Sequence, residues 1–347
     1  MGTAVVTGIG SWLPPRAVEN AELANRLGSS DEWIRTRTGV RRRHVASAGM
    51  AVSDLAVEAG ARALKSAGGG EADAVVLATA TPDHPCPATA PDVAARLGLW
   101  STAAFDVAAV CSGFVYALAA GTGLISAGIA RRVLVIGADV FSSILDPDDR
   151  TTSVIFGDGA GAVVLRPGDP AEPGALGPFD LGSDGAGAGL ITVRAGGSRQ
   201  RLSGAEPGPR EHFFAMAGKA VFWRAVQQMA QSAGAALDRA GWRPRDVDRL
   251  VCHQANQRIT DHLADELGLP RERALSNIAD VGNTAAASIP LALDQARAAG
   301  RLRPGDRVLL TAFGGGLAWG SVTLRWPSLG DGAGGAAAGA GEGERDA

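Results

Sequence analysis

The 347-residue sequence is poor in cysteine, in net charge of either sign and in long apolar runs, and each shortage excludes a class of protein. Three cysteines, Cys86, Cys111 and Cys252, are odd in number and widely spaced, which argues against a disulfide framework and suits a reducing cytoplasm. A formal net charge of −3 supplies no global field for nucleic acid or a membrane surface, so neither is an expected partner. Apolar runs such as Arg132 to Val140 fall far short of the roughly 20 residues that cross a bilayer. The opening MGTAVVTGIG has no basic segment followed by a long apolar stretch, so export is not expected. The five histidines show no pairing at ligand spacing, and Cys252 and His253 would point to opposite faces of a strand, so no metal site is expected. FGDGAGAVVL (Phe156 to Leu165) lacks the Lys-Ser/Thr ending of a phosphate loop and precedes a strand; it reads as a turn where backbones pack closely.

What is present is the composition of a globular protein, 46% hydrophobic and 20% charged, long enough for two domains or one two-lobed unit. Short β-rich runs (AVVTGIGSWLP, DAVVLATA, AAFDVAAV, RVLVIGADV, GAVVLRP) alternate with helix-patterned segments, which predicts a layered α/β fold. The second half repeats the first. DAVVLATATPDHPCPATAPDVAARLGL (Asp73 to Leu99) parallels DRLVCHQANQRITDHLADELGL (Asp248 to Leu269), and RRVLVIGADV parallels DRVLLTAFGGG, at an offset of about 170 residues. The reading is an N-terminal half over 1–168, an irregular Gly/Pro-rich excursion over 169–209, a C-terminal half over 210–327, and a disordered tail over 328–347.

Cys111 sits where the strand-like run Ala103 to Val110 gives way to the helix-like run Ser112 to Leu124. A thiol at a helix start faces backbone N–H groups that favour thiolate, so it reads as a nucleophile, although a lone cysteine is more often a packed hydrophobe. His253 in VCHQAN and Asn283 in DVGNTAAAS lie at strand-to-loop positions, and the repeat places Asn283 at a point comparable with Cys111. A His and an Asn side chain can donate two hydrogen bonds to one oxygen, which suits an enolate. The Gly314 to Gly316 run, after Phe313, lets backbone approach a substrate, so an amide there could join that of Cys111 in an oxyanion hole.

Six blocks, DEWIRTRTGVRRRH (Asp31 to His44), DVAAVCSGFVYAL (Asp106 to Leu118), FGDGAGAVVL, HQANQRI (His253 to Ile259), GNTAAASIPLAL (Gly282 to Leu293) and FGGGLAWGS (Phe313 to Ser321), together closely resemble β-ketoacyl-acyl carrier protein synthase III, collinearly from about residue 3 to 326. The resemblance implies a thiolase-like fold of two duplicated halves in five α-β-α-β-α layers, a homodimer, and no metal or redox cofactor. It implies that an acyl group passes from coenzyme A to Cys111, after which malonyl-acyl carrier protein loses CO2 and its enolate attacks the acyl-enzyme. Carried over residue by residue, Cys111 is the nucleophile, His253 and Asn283 stabilise the enolate, the Cys111 and Gly315 amides form the oxyanion hole, and Phe313 shields the decarboxylation site. Trp33 and Arg150 match positions that sandwich the adenine, Arg37 and Arg258 match phosphate contacts, and Met216 and Asn256 match substrate contacts.

Two departures bear on substrate and partner. Cys86, in TPDHPCPAT, stands where a bulky aromatic lies in members restricted to acetyl primers; the resemblance puts this loop at the acyl pocket of the partner subunit, where a smaller side chain should leave room for a longer or branched primer, and Phe141 falls where a smaller aliphatic often lines the same pocket. Asp261, Asp265 and Glu266 follow HQANQRI, and Trp223 replaces a frequent lysine, leaving Arg258, Arg224 and neighbours as the basic docking surface. The same scaffold could instead transfer an acyl group to a small-molecule or carrier-bound acceptor without loss of CO2, a reading that leaves Asn283 without a task.

Overall fold

The computed structural model describes residues 3–330. The first sheet is built from β1 (Thr3–Trp12), β2 (Ala74–Ala78), β3 (Ala103–Val107), β4 (Val133–Asp139) and β5 (Gly159–Gly168), in the order β1-β5-β4-β2-β3. The second takes β6 (Leu176–Ser183), β7 (Arg249–Cys252), β8 (Arg307–Gly314) and β9 (Ala318–Arg325), in the order β7-β8-β9-β6. Read from the other edge, the second sheet repeats the first: two antiparallel pairings and then a parallel one. The counterpart of β3 is reduced to a single parallel bridge between Leu250 and Ala274.

Six helices complete the layers: α1 (Val52–Ser66), α2 (Ala90–Arg96), α3 (Gly113–Ser126), α4 (Gly218–Ala240), α5 (Gln257–Glu266) and α6 (Ser288–Ala298). Both faces of β2 and β4 are buried, so they read as continuous apolar runs rather than alternating ones. One core joins α1 and α2 to the outer face of the first sheet, and another joins α4 and α5 to the outer face of the second. Between the sheets, α3 and α6 share a third core with both inner faces. That core explains why GFVYALAAGTGLIS is apolar nearly all round: a helix covered on two sides has little polar face to spare. These are the five layers of the resemblance.

Three expectations are corrected in detail. The stretch 169–209 is not irregular throughout, because Leu176–Ser183 is the edge strand of the second sheet, and Ile191–Val193 pairs with Phe214–Met216. The strand expected through Val110 ends at Val107, and Val110–Ser112 form a 3-10 turn before α3. Of the expected tail, Leu329 packs on the central core and the Gly330 carbonyl accepts from Ser66, so 328–330 belong to the fold; 331–347 lie outside the described residues. The FGDGAG segment is a close backbone approach, as its glycines suggest: a Cβ on Gly157 would lie 2.4 Å from the Val281 carbonyl oxygen. This contact presses the Asn283 loop onto Phe156, and Gly157 N–H donates to the Asn283 carbonyl at 2.9 Å. Among the described residues no helix is long and apolar enough to cross a membrane.

Candidate active site

Cys111, His253 and Asn283 line one cavity of about 220 Å³, together with Met216, Asn256 and Phe313. Its walls are mostly apolar, and Phe222 is also among its lining residues. Cys111 occupies the 3-10 turn ahead of α3, and Val110 before it takes φ 47°, a left-handed conformation costly for a β-branched residue. The strained turn is held where it is used. Gly314 explains the fit, because a Cβ there would lie 2.8 Å from the Cys111 nitrogen and 2.9 Å from that of Ser112. The Ser112 N–H is already donated to the Ala109 carbonyl at 3.1 Å, so the space that the glycine spares is the one in front of the Cys111 amide. Gly315, the next residue, lies against Ile191 and Val110.

His253 follows β7, where its N–H donates to the Thr311 carbonyl at 2.9 Å. Its Nδ1 lies 2.8 Å from the Ser288 hydroxyl, which leaves Nε2 for the cavity. Burial drives its pKa down to about 3, so the ring is neutral. The Asn283 Oδ1 accepts the N–H of Ala285 at 2.9 Å, which commits the oxygen and leaves the amide NH2 as a donor. The site therefore presents two neutral polar groups, the Asn283 NH2 as a donor and the His253 Nε2, which is an N–H in the tautomer whose Nδ1 accepts from Ser288.

The expected thiolate is corrected. Burial pushes the Cys111 thiol well above its ordinary value and the charge of Asp139 adds to this, while its backbone amide acts weakly in the other direction. Desolvation outweighs the helix start, and the resting nucleophile is a thiol.

Trp33 lies on the short helix Asp31–Thr38, whose N-cap Ser30 accepts the Trp33 N–H at 3.1 Å. The guanidinium carbons of Arg37 and Arg150 stand 5.2 and 5.3 Å from the Trp33 ring, so three residues expected to meet an adenine nucleotide are gathered at one place. Asn256 caps α5 through Oδ1 and donates from Nδ2 to the Arg37 carbonyl at 3.0 Å, tying that helix to the cavity mouth. Arg258 lies over the Phe222 ring at 5.6 Å. Trp223 is 64% exposed beside Phe222 and His262, and Arg224 pairs with Asp184 at 3.7 Å. Asp261 and Asp265 both pair with Arg271, which offsets part of the acidic charge beside the mouth.

Of the two acyl-pocket residues, Phe141 is placed differently from expectation. Phe141 is fully buried but does not line the cavity; it stacks at 4.3 Å and 11° behind Phe156, which does. Phe214 meets both rings edge-on at 5.0 and 5.2 Å, so the wall near Cys111 is a three-ring cluster. Cys86 is exposed on its loop, as a residue expected to reach the acyl pocket of a partner subunit would be in a single chain. Sequence reasoning missed Phe156, Phe214 and Ser288; only Ser288 carried a signal, as the serine five residues after Asn283 in NTAAAS.

Family models described as 3-oxoacyl-[acyl-carrier-protein (ACP)] synthase III match residues 105–185, and its C-terminal model matches 237–326. β-Ketoacyl-[acyl-carrier-protein] synthase III 3 of Streptomyces coelicolor is 65% identical over 328 residues, covering 94% of this chain and 98% of its own. The synthase III of Pseudomonas aeruginosa PAO1 is 55% identical over 326 residues, covering 94% and 97%. Its crystal structure superimposes with a TM-score of 0.88 over 94% of this chain and 99% of that one, at 53% identity. The priming β-ketosynthase of the R1128 polyketide pathway gives a TM-score of 0.87 at 36% identity, covering 94% and 97%. Fold and site together define a condensing enzyme of the transferase class on the thiolase-like fold. The chain belongs to the 3-oxoacyl-[acyl-carrier-protein] synthase III family and is an initiating ketosynthase of fatty-acid or polyketide biosynthesis.

Proposed function

We propose that the protein condenses a short acyl group from acyl-coenzyme A with malonyl-acyl carrier protein, losing CO2 and releasing 3-oxoacyl-carrier protein. The observation that carries the reading is the neutral His253 ring, with Nε2 left free, and the free Asn283 NH2 in one cavity with Cys111. In the first half-reaction the Cys111 sulfur attacks the thioester carbonyl and coenzyme A leaves as its thiol, carrying the proton that Cys111 gives up. The oxyanion formed on the way is held at the Cys111 and Gly315 amides. In the second, the bond between the malonyl carboxylate and its α-carbon breaks. The electron pair passes to the thioester oxygen, which the two N–H groups hold as an enolate, and the α-carbon attacks the acyl-enzyme and expels Cys111 as a thiolate, which takes up a proton from water to return to the resting thiol.

Ser288 suits both steps, because a hydroxyl can accept from or donate to Nδ1. His253 then offers Nε2 as a lone pair while the thiol loses its proton, and as N–H while the enolate forms. Thiol, amides and two donors supply the acid–base and electrostatic needs of this chemistry, so we assign no resident metal or redox cofactor. Trp33, Arg37, Arg150 and Arg258 are assigned to coenzyme A. The ring cluster behind Cys111 argues for a short primer, since it closes the wall that a longer chain would have to enter.

The carbon–carbon bond is tested by incubating the protein with malonyl-carrier protein and a panel of acyl-coenzyme A primers. Absence of CO2 release and of 3-oxoacyl product with every primer would sink the reading. Simple acyl transfer is separated from it by Asn283→Ala, which should abolish condensation; unchanged product formation would favour transfer.

We further assign the protein a homodimer built on β3. This edge strand pairs only with β2 and leaves Phe105 37% and Trp100 76% exposed beside an open row of backbone groups. Sedimentation of wild type and of Phe105→Asp tests it, a monomeric wild type being the refuting result.

A further inference from the structure

Asp139, at the end of β4, is a fully buried carboxylate that the mechanism above does not use. A buried charge is costly unless its lone pairs are filled, and here neutral donors fill them. One oxygen accepts from Ala80 N–H at 2.7 Å, Thr81 Oγ1 at 3.0 Å and Thr79 Oγ1 at 3.2 Å; the other accepts from Ala286 N–H at 2.9 Å.

The duplication gives this contact a meaning. Asp73 accepts the N–H of Arg132 at 2.8 Å and Asp248 that of Arg307 at 2.9 Å, which matches those residues in pairs. Val110 and Ala285 match as well, with φ 47° and 46° at the start of equivalent 3-10 turns. Each pair is separated by 175 residues, from 73 to 248, 132 to 307 and 110 to 285. The same step takes Cys111 to Ala286 and Asp139 to Gly314, so the structural counterpart of Cys111 is Ala286, and the expected equivalence with Asn283 is off by three. At the active site a glycine leaves the space before the Cys111 amide open; at its counterpart the Asp139 carboxylate fills the space before the Ala286 amide.

We propose that Asp139 is a positioning residue that plugs the second, pseudosymmetric oxyanion hole, pinning the turn that carries Asn283 and placing a titratable negative charge in the field of Cys111. The pinning is visible in consecutive amides: Ala285 N–H holds the Asn283 Oδ1, and Ala286 N–H is held by Asp139. The field acts on the nucleophile, since Asp139 opposes ionisation of the Cys111 thiol. The titratable groups here are Asp139, Cys111 and the His253 imidazole, and the last stays neutral through the working pH range. The first half-reaction thus works against this charge, while the second depends on the geometry it maintains.

The proposal rests on the condensation reading, and its test has an arm that does not. Alkylation of Cys111 by iodoacetamide, followed by peptide mass so that exposed Cys86 does not interfere, reads the thiol alone. Wild type should show a shallow stretch in log rate against pH near 6, where Asp139 titrates. Asp139→Asn should lose that stretch and alkylate at least about threefold faster at pH 8, a shift of about half a pH unit in thiol ionisation. Malonyl-carrier protein decarboxylation by the same variant should fall at least about tenfold. A merely structural residue would lower both rates together, and that parallel loss overturns the proposal, as does an unbroken wild-type profile. Should Asp139→Asn not fold, Thr79→Val removes one of the four donors and keeps the charge; the shallow stretch should move to higher pH, and an unmoved one overturns the proposal. If no form decarboxylates malonyl-carrier protein, the condensation reading falls while the alkylation profile still decides the role of the charge.

Discussion

Gly314→Ala isolates the oxyanion hole from the nucleophile. The added methyl carbon would stand 2.8 Å from the Cys111 nitrogen, 2.9 Å from that of Ser112 and 3.1 Å from the Ala109 carbonyl oxygen, all backbone atoms of a strained turn with little room to move. A substrate oxyanion needs a position about 2.7–3.1 Å from the same Cys111 nitrogen, so methyl and oxygen compete for one volume. Loss of one such donor costs about 100- to 1000-fold in rate, or roughly 3–4 kcal/mol, and overpacking of the turn adds about 1–3 kcal/mol of destabilisation. The assay is single-turnover acylation of Cys111 by acetyl-coenzyme A, read by intact-protein mass and set beside iodoacetamide alkylation. Alkylation displaces iodide at a saturated carbon and needs no oxyanion hole, so it should change little while acylation falls by two to three orders of magnitude. Acylation within about threefold of wild type in a folded variant would refute the placement of the hole in front of the Cys111 amide.

Phe141→Leu, by opening space behind Phe156, should shift primer preference toward longer acyl-coenzyme A substrates at a stability cost of about 1–2 kcal/mol; the check is kcat/KM across a chain-length series, with an unchanged profile as the adverse result. Ser288→Ala leaves the buried Nδ1 of His253 without its partner and should slow malonyl-carrier protein decarboxylation about tenfold or more, measured as CO2 release with Cys111 already acylated. Two buried groups oppose each other in the pH dependence of stability. His253, lowered from 6.5 to about 3, costs stability as pH falls below 6.5, because only the unfolded chain takes up the proton; Asp139, raised from 3.8 to about 6, is relieved over the overlapping range as pH falls. Their combined contribution should be nearly flat between pH 4 and 6, and His253→Gln should expose the Asp139 slope, with stability rising by roughly 1 kcal/mol per pH unit on acidification, read by denaturant midpoints.

The duplicated α/β plan and the three polar residues of the site were legible in the sequence because each rests on local signals: strand patterning, a Cys before a helix, a His and an Asn after strands. The register between the halves was harder to read. Leu97 and Leu267 of the two LGL blocks are 170 residues apart, whereas Asp73 and Asp248, and Val110 and Ala285, are 175 apart, because the second copy is shorter before LGL and longer after it. Anchoring on LGL therefore set Cys111 against Asn283, when backbone torsions set it against Ala286. The edge strand Leu176–Ser183 was masked by glycine and proline, since an edge strand needs pairing on one side only. The thiol and the acyl wall were illegible for a different reason: both are decided by three-dimensional burial. Composition shows a Cys at a helix start, but not that desolvation and Asp139 together outweigh its amides. Phe156 and Phe214, 58 residues apart, become one wall only when the strand Phe214–Met216, paired with Ile191–Val193, sets its ring against Phe156. Duplication supplies what local patterning cannot: two copies of one backbone hold a carboxylate at 139 and nothing beyond Cα at 314, and that difference separates the structural half-site from the one that binds substrate.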